Sequence, residues 1–228
     1  FAWGERKVTT VHAIEAAPRR RIWSEFVPYA TLRSARVINL LQRHGLQLLV
    51  AVTPENRAEL SALTTTYRDA GVAVGLWPML DDPDGRWGST FNARSYADFV
   101  WSIVASAPLA RTVAIDLEPP ITMVQGLLKG RPLAYRQLLR SGDWAAGRRI
   151  LNDLVVNLGE QGVGCIAAAN PMLLADGREG VAWQRLFGTP IAAMPFEAVS
   201  FMAYTSLFEG YSRGLISRRV ATTLLTQT

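Results

Sequence analysis

Residues 112–120 read TVAIDLEPP, and the alternation in that stretch decides the architecture. On an extended strand successive side chains point to opposite faces, so Val113, Ile115 and Leu117 share one face and Ala114, Asp116 and Glu118 the other. Two prolines then end the strand. Two earlier segments follow the same scheme. In VAVGLWP (72–78), Val72, Val74 and Leu76 oppose Ala73, Gly75 and Trp77. In LLVAVTPE (48–55), Leu48, Val50 and Val52 oppose Ala51, Thr53 and Glu55. One face is branched and apolar throughout. The other is small low on the strand and polar or aromatic at its C-terminal end. A doubly wound sheet, covered by helices on both sides, would be greasy on both faces. A (β/α) barrel has a greasy outside, a crowded inside and its chemistry at the C-terminal rim.

Working outward, IWSEFV (22–27), LQLLVAV (46–52), VAVGLWPML (72–80), TVAIDLE (112–118), VGCIAAAN (163–170) and AVSFMAY (198–204) read as six strands. Amphipathic stretches at 32–44, 56–70, 94–106, parts of 121–160 and 213–226 read as helices. Asn56 and Asn92 mark helix starts; Gly45, Gly71 and Gly162 mark helix ends. The expectation is an α/β fold of the (β/α)8 TIM-barrel type, incomplete, with about six βα units visible. VTTVHAI (8–14) is a weak seventh strand, and an open six-stranded sheet is the plainer alternative. The 228 residues suit one domain, 1–228, of catalytic barrel type and truncated at its C-terminus.

Composition narrows the function classes. No apolar run reaches membrane-spanning length, so no membrane span is expected. The start, FAWGERKVTT, lacks both an initiator Met and the order of a signal peptide, which points to a processed or trimmed chain. The compartment stays open, with an extracytoplasmic location slightly favoured. Net charge is +5, from 22 Arg and 2 Lys scattered along the chain. The one run, Arg19 to Arg21, lacks interleaved aromatics, so no nucleic-acid partner is expected. Cys165 is alone in a small-residue stretch and reads as an inert buried thiol. His12 and His44 have no evident partners, and CxxC, HExxH and Walker patterns are absent. Neither a metal site nor a cofactor is expected.

Asp116 and Glu118 remain to be explained. Same-face neighbours two residues apart on a strand have Cα atoms roughly 6.5 Å apart. In a partly dry site such carboxyls do not ionise independently, and one keeps a proton near neutral pH. A carboxyl that stays protonated can serve as a general acid. The plainer role is a rim pair bound to arginines such as Arg111.

A second motif lies two strands later, where VSFMAYTS (199–206) sets Ser200, Met202 and Tyr204 on one face. With it, the chain resembles the family 18 glycoside hydrolases, the chitinases and endo-β-N-acetylglucosaminidases. Their fourth barrel strand ends in DxxDxDxE and their sixth carries MxYD. The first pattern meets Arg111, Ala114, Asp116 and Glu118 here, matching at the last two acids. The second matches at Met202 and Tyr204, with Thr205 in place of Asp. The resemblance implies hydrolysis of glycans containing N-acetylhexosamine, with the substrate's own acetamido group as nucleophile. By that analogy Glu118 protonates the glycosidic oxygen, Asp116 orients and polarises the acetamido group, and Tyr204 hydrogen-bonds it. Met202 lines the pocket floor. Trp77 could stack on a sugar ring or could plug the barrel.

Glu25, Glu55, Asp81, Asp82 and Asn170 also follow strand ends, as subsite residues or as solvated loop residues and helix caps. The turn-rich segment DDPDGRWGSTFN (81–92) is long enough to cover a barrel mouth. The leading expectation is a glycosidase with a glycan partner. A non-catalytic carbohydrate-binding barrel, a two-carboxylate retaining glycosidase built on Leu117, Glu118 and Pro119, and a metal-dependent barrel enzyme are the alternatives.

Overall fold

A computed structural model describes residues 20–132, 144–176, 180–192, 194–202, 204 and 219. Six strands form one sheet: β1 (Arg20–Ser24), β2 (Leu46–Val52), β3 (Val74–Pro78), β4 (Thr112–Leu117), β5 (Gly164–Ala169) and β6 (Ala198–Phe201). Every pairing is parallel, and the spatial order β1-β2-β3-β4-β5-β6 equals the chain order. That order has a physical consequence. Right-handed crossovers between successive parallel strands put every helix on the same side, whereas a doubly wound sheet must reverse its order once. The sheet therefore curls with its helices outside, as a half-barrel.

The two faces are segregated as the alternation requires. On the convex side Val113, Ile115 and Leu117 pack with Tyr96 and Val100 of the helix Ala93–Ser106 and with Leu151 and Leu154 of the helix Trp144–Glu160. Val50, Val52 and Leu76 pack with Leu60, Leu63 and Tyr67 of the helix Leu60–Asp69. On the concave side a smaller cluster of Leu49, Ala51, Trp77, Met79, Ala114 and Ile166 forms without any helix, joined by the half-buried Trp23 and Trp87. Gly75 keeps that face close-packed: a Cβ there would lie 2.5 Å from Leu49 Cδ2 and 3.1 Å from Thr112 Cβ, so a larger residue would have to displace the Leu49 side chain. Gly45 ends the helix Ala35–His44 in the left-handed region at φ 56°, as its place in the sequence suggested. Cys165 is buried and its thiol is pushed up to about 12, chiefly by that burial, which leaves it unreactive.

Every strand but β2 is shorter than the sequence suggests, β3 and β6 the most. β1 stops at Ser24, so Glu25 to Val27 lead out of the sheet toward Pro28, which has no N–H to offer a ladder. β3 begins at Val74 and β6 ends at Phe201. The helix Ala182–Phe187 and the 3₁₀ turn Pro171–Asp176 were not foreseen; both are too short for a periodic apolar pattern to register. The strand weighed over 8–14, His12, Thr205 and, apart from Arg219, the helix over 213–226 lie outside the described residues. Among the described residues no helix is long and apolar enough to cross a membrane.

Candidate active site

β4 carries the acidic pair to the C-terminal end of the sheet. Asp116 is registered beside Ala168 of β5, which is registered beside Ser200 of β6. Its strand neighbours there are small, and the Asp116 side chain is buried on the concave face, with a relative exposure of 4 %. Its Oδ1 has no hydrogen-bond partner among the described residues. Glu118 is partly buried, just beyond the strand end. The ion pairs among the described residues reach neither carboxyl. Arg111, weighed above as a partner, is exposed and precedes β4 at the opposite end of the strand.

Burial without an ion pair among the described residues opposes ionisation of both carboxyls. Asp116 is held well above the usual carboxylate range, by burial first, then by the charges of Glu118 and Glu25. Glu118 is pushed up to about 7, again by burial first and then by the Glu25 charge. The pair therefore keeps a proton at neutral pH, which is the condition for an acid catalyst.

The segment after β3 builds the adjoining wall. β3 and β4 share one registered pair, Leu76 with Val113, and then diverge. Gly88 fills the gap, bridging to Leu117 in parallel and donating its N–H to the Asp116 carbonyl at 2.9 Å. Asn92 staples this segment: its Oδ1 accepts from Ser89 N–H and Oγ–H, and its Nδ2 donates to the carbonyls of Asp84 and Trp87. Residues 81–92 are thus bonded back onto the sheet, with Trp87 turned to the concave cluster. Gly85 (φ 101°) and Arg86 (φ 62°) are both left-handed, a conformation uncommon for arginine. That turn aims the Arg86 guanidinium at Glu25 Oε1 (3.1 Å) and Asp82 Oδ1 (2.8 Å).

A cavity of about 340 Å³ opens beside this ion pair, lined by Glu25, Thr53, Glu55, Asp81, Asp82 and Arg86 among others. Of the residues singled out from sequence it takes in Glu25, Glu55, Asp81 and Asp82, while Asp116, Glu118 and Trp77 are not in its walls. Met79 lines it and also belongs to the concave cluster with Trp77, so the two regions adjoin. Asp81 is exposed, and its carbonyl accepts turn hydrogen bonds from Asp84 and Arg86.

Trp77 is buried on the concave face, edge-on to Trp23 with ring centroids 5.0 Å apart, and its Nε1–H has no partner among the described residues. Asn170 caps the 3₁₀ turn, its Oδ1 accepting the Met172 N–H at 2.9 Å. Met202 is half-buried just past β6, and Tyr204 is 56 % exposed. The structure groups Asp116, Glu118 and Glu25 electrostatically, sets Trp77 in the floor and leaves Tyr204 at the exposed end of the sixth strand. Among the described residues no cluster of three or more His, Cys, Asp or Glu is arranged to hold a metal ion.

Sequence reasoning missed Arg86 and Trp87. The available signal was the Asp-Gly step at 84–85, which marks a turn able to redirect the next two side chains. Comparison with protein-family models, curated proteins and solved structures gives no match.

Proposed function

We propose that this chain is a glycoside hydrolase acting on glycans that contain N-acetylhexosamine, by substrate-assisted acid catalysis, on a fold belonging to the (β/α)8 barrels. The observation that carries the reading is the buried Asp116–Glu118 pair, free of any ion pair among the described residues, with Glu118 pushed up to about 7. Glu118 gives its proton to the glycosidic oxygen as that bond breaks. The acetamido carbonyl oxygen forms the new bond to the anomeric carbon from the opposite face, so the substrate supplies the nucleophile. With the proton that the pair shares sitting on Glu118, the Asp116 carboxylate accepts the acetamido N–H and stabilises the positive charge that develops on the group. The Glu118 carboxylate then takes a proton from the water that reopens this bond, and the acid is restored. Trp77 offers an apolar floor with one N–H donor, Met202 adds to that floor, and Tyr204 closes on the acetamido group from the sixth strand.

The test assays wild type, Glu118→Gln and Asp116→Asn on N-acetylglucosamine oligomers and on matched glucose oligomers, across about pH 4–9. Turnover is expected on the acetylated series alone, and it falls as pH rises past about 7, where Glu118 loses its proton. Glu118→Gln should lose about 10²–10⁴-fold in kcat while still binding the oligomers. Full activity in Glu118→Gln ends the acid assignment. Turnover of glucose oligomers points to a two-carboxylate mechanism. Binding without turnover in wild type marks a carbohydrate-binding barrel.

A further inference from the structure

Glu118 stands where the sheet stops holding the chain. β4 ends at Leu117, and the two residues after Glu118 are prolines, which have no N–H to donate. The segment after β3 ties the backbone on either side of it. Gly88 N–H donates to the Asp116 carbonyl at 2.9 Å, and Ile121 N–H donates to the Gly85 carbonyl at 3.3 Å. Residues 85–88 thus clasp 116–121 before and after the acid. The fit is close. A Cβ on Gly88 would lie 3.0 Å from Tyr96 Cε1, and one on Gly85 would lie 3.4 Å from Pro120 Cβ and 2.7 Å from Asn92 Nδ2.

One side chain pins this clasp. A carboxamide has two acceptor sites and two N–H donors. Asn92 uses all four on residues 84–89: Oδ1 accepts Ser89 N–H (2.9 Å) and Oγ–H (2.8 Å), and Nδ2 donates to the carbonyls of Asp84 (2.9 Å) and Trp87 (2.8 Å). Asn92 precedes the helix Ala93–Ser106, yet its side chain bonds none of that helix's N–H groups. The helix itself is anchored in the convex core through Tyr96 and Val100, so the amide ties the segment to a rigid support.

We infer that Asn92 is a positioning residue that sets where Glu118 stands, by locking residues 84–89 onto the backbone on both sides of it. As a role in catalysis this rests on the hydrolase reading; as a fixing of the Glu118 backbone it does not.

The experiment compares the whole chain with Asn92→Ala, Asn92→Ser and Gln47→Leu, the last altered at the opposite end of the sheet. Amide hydrogen exchange reads the clasp. ¹³C NMR titration reads the Glu118 carboxyl, identified by its loss in Glu118→Gln. In Asn92→Ala the Gly88 and Ile121 amides should lose protection together. Glu118 then gains solvent, and its midpoint should fall from about 7 by about one pH unit. Asp116, Glu25 and Arg86 are all kept, and freeing Arg86 from Glu25 would move the midpoint upward, so a fall reads exposure. On N-acetylglucosamine oligomers kcat should drop by about 10–100-fold with KM within about threefold of wild type. Asn92→Ser is too short to reach both carbonyls and should shift the same readings less; it serves if Asn92→Ala does not fold. Gln47→Leu should move none of them. A midpoint unmoved in the folded Asn92 variants, or moved as far by Gln47→Leu, overturns the inference even if wild type turns over the oligomers. A lowered midpoint in Asn92→Ala with no glycan turned over by wild type sustains it and sinks the hydrolase reading.

Discussion

The two ends of the concave face treat polar groups in opposite ways. At the N-terminal end Arg21 Nε donates to Gln47 Oε1 at 3.0 Å, and Gln47 Nε2 donates to Thr112 Oγ1 at 3.0 Å. This relay crosses from β1 to β4, and the buried Gln47 amide has both ends partnered. At the C-terminal end Asp116 Oδ1 and Trp77 Nε1 are buried without partners among the described residues. Buried polar groups in folded proteins are nearly always satisfied, so leaving an acceptor and a donor open in one region needs a reason. A satisfied network stabilises the fold. An open one costs stability and remains available to a ligand. The contrast sets a satisfied structural network at the bottom of the half-barrel against the proposed site at its top.

The largest expected effect lies at the top and depends on pH. The folded-state values of Asp116 and Glu118 are raised, so their protonated forms favour the native state. That stabilisation is fully present below the unfolded carboxyl range and is lost as pH rises through about 7 for Glu118. From 4.5 to about 7, the loss is on the order of 3 kcal/mol. Urea unfolding at several pH values checks it: wild type should weaken from pH 5 to pH 8 by roughly that amount relative to Glu118→Gln. Parallel curves for the two proteins would mean that Glu118 is solvated and that the top is no different from the bottom.

The bottom should respond without pH and without function. Gln47→Leu strips Arg21 and Thr112 of their shared partner and should cost about 1–3 kcal/mol, read as a lower urea midpoint. Turnover at low temperature, where the variant stays folded, should be unchanged. A loss of activity matching that of a variant at the top would erase the division between the two ends.

Much of this division is legible in the sequence, for a definite reason. Strand alternation is a local property, so Val113, Ile115 and Leu117 against Ala114 and Asp116 can be read from seven residues, and the convex and concave clusters follow. The acidic pair is visible in the same way. What could not be read is long-range. Glu25 and Arg86 are 61 positions apart, and their meeting depends on a left-handed turn that no alternation encodes. Gly88 looks like a loop glycine until β3 and β4 are seen to diverge, leaving a gap for it. Asn92 was recognisable as a helix start, but its side chain serves the preceding segment rather than its own helix.

The smallest effect on stability is the sharpest test of the comparison. Trp77→Phe removes a buried N–H that has no partner among the described residues, which relieves a desolvation penalty of about 1–3 kcal/mol. It also removes part of the indole from a packed cluster and from its edge-on contact with Trp23, which costs a similar amount. The two should nearly cancel, leaving stability within about 1 kcal/mol of wild type. Binding should not escape so lightly. If the open N–H meets a glycan hydroxyl or acetamido oxygen, Phe loses that hydrogen bond and affinity for N-acetylglucosamine oligomers falls by up to about tenfold. Calorimetric titration of Glu118→Gln with and without the Trp77 change separates binding from turnover. A destabilisation of several kcal/mol with affinity unchanged would make Trp77 a plug of the concave core, and the open donor would then be a defect of packing instead of part of a site.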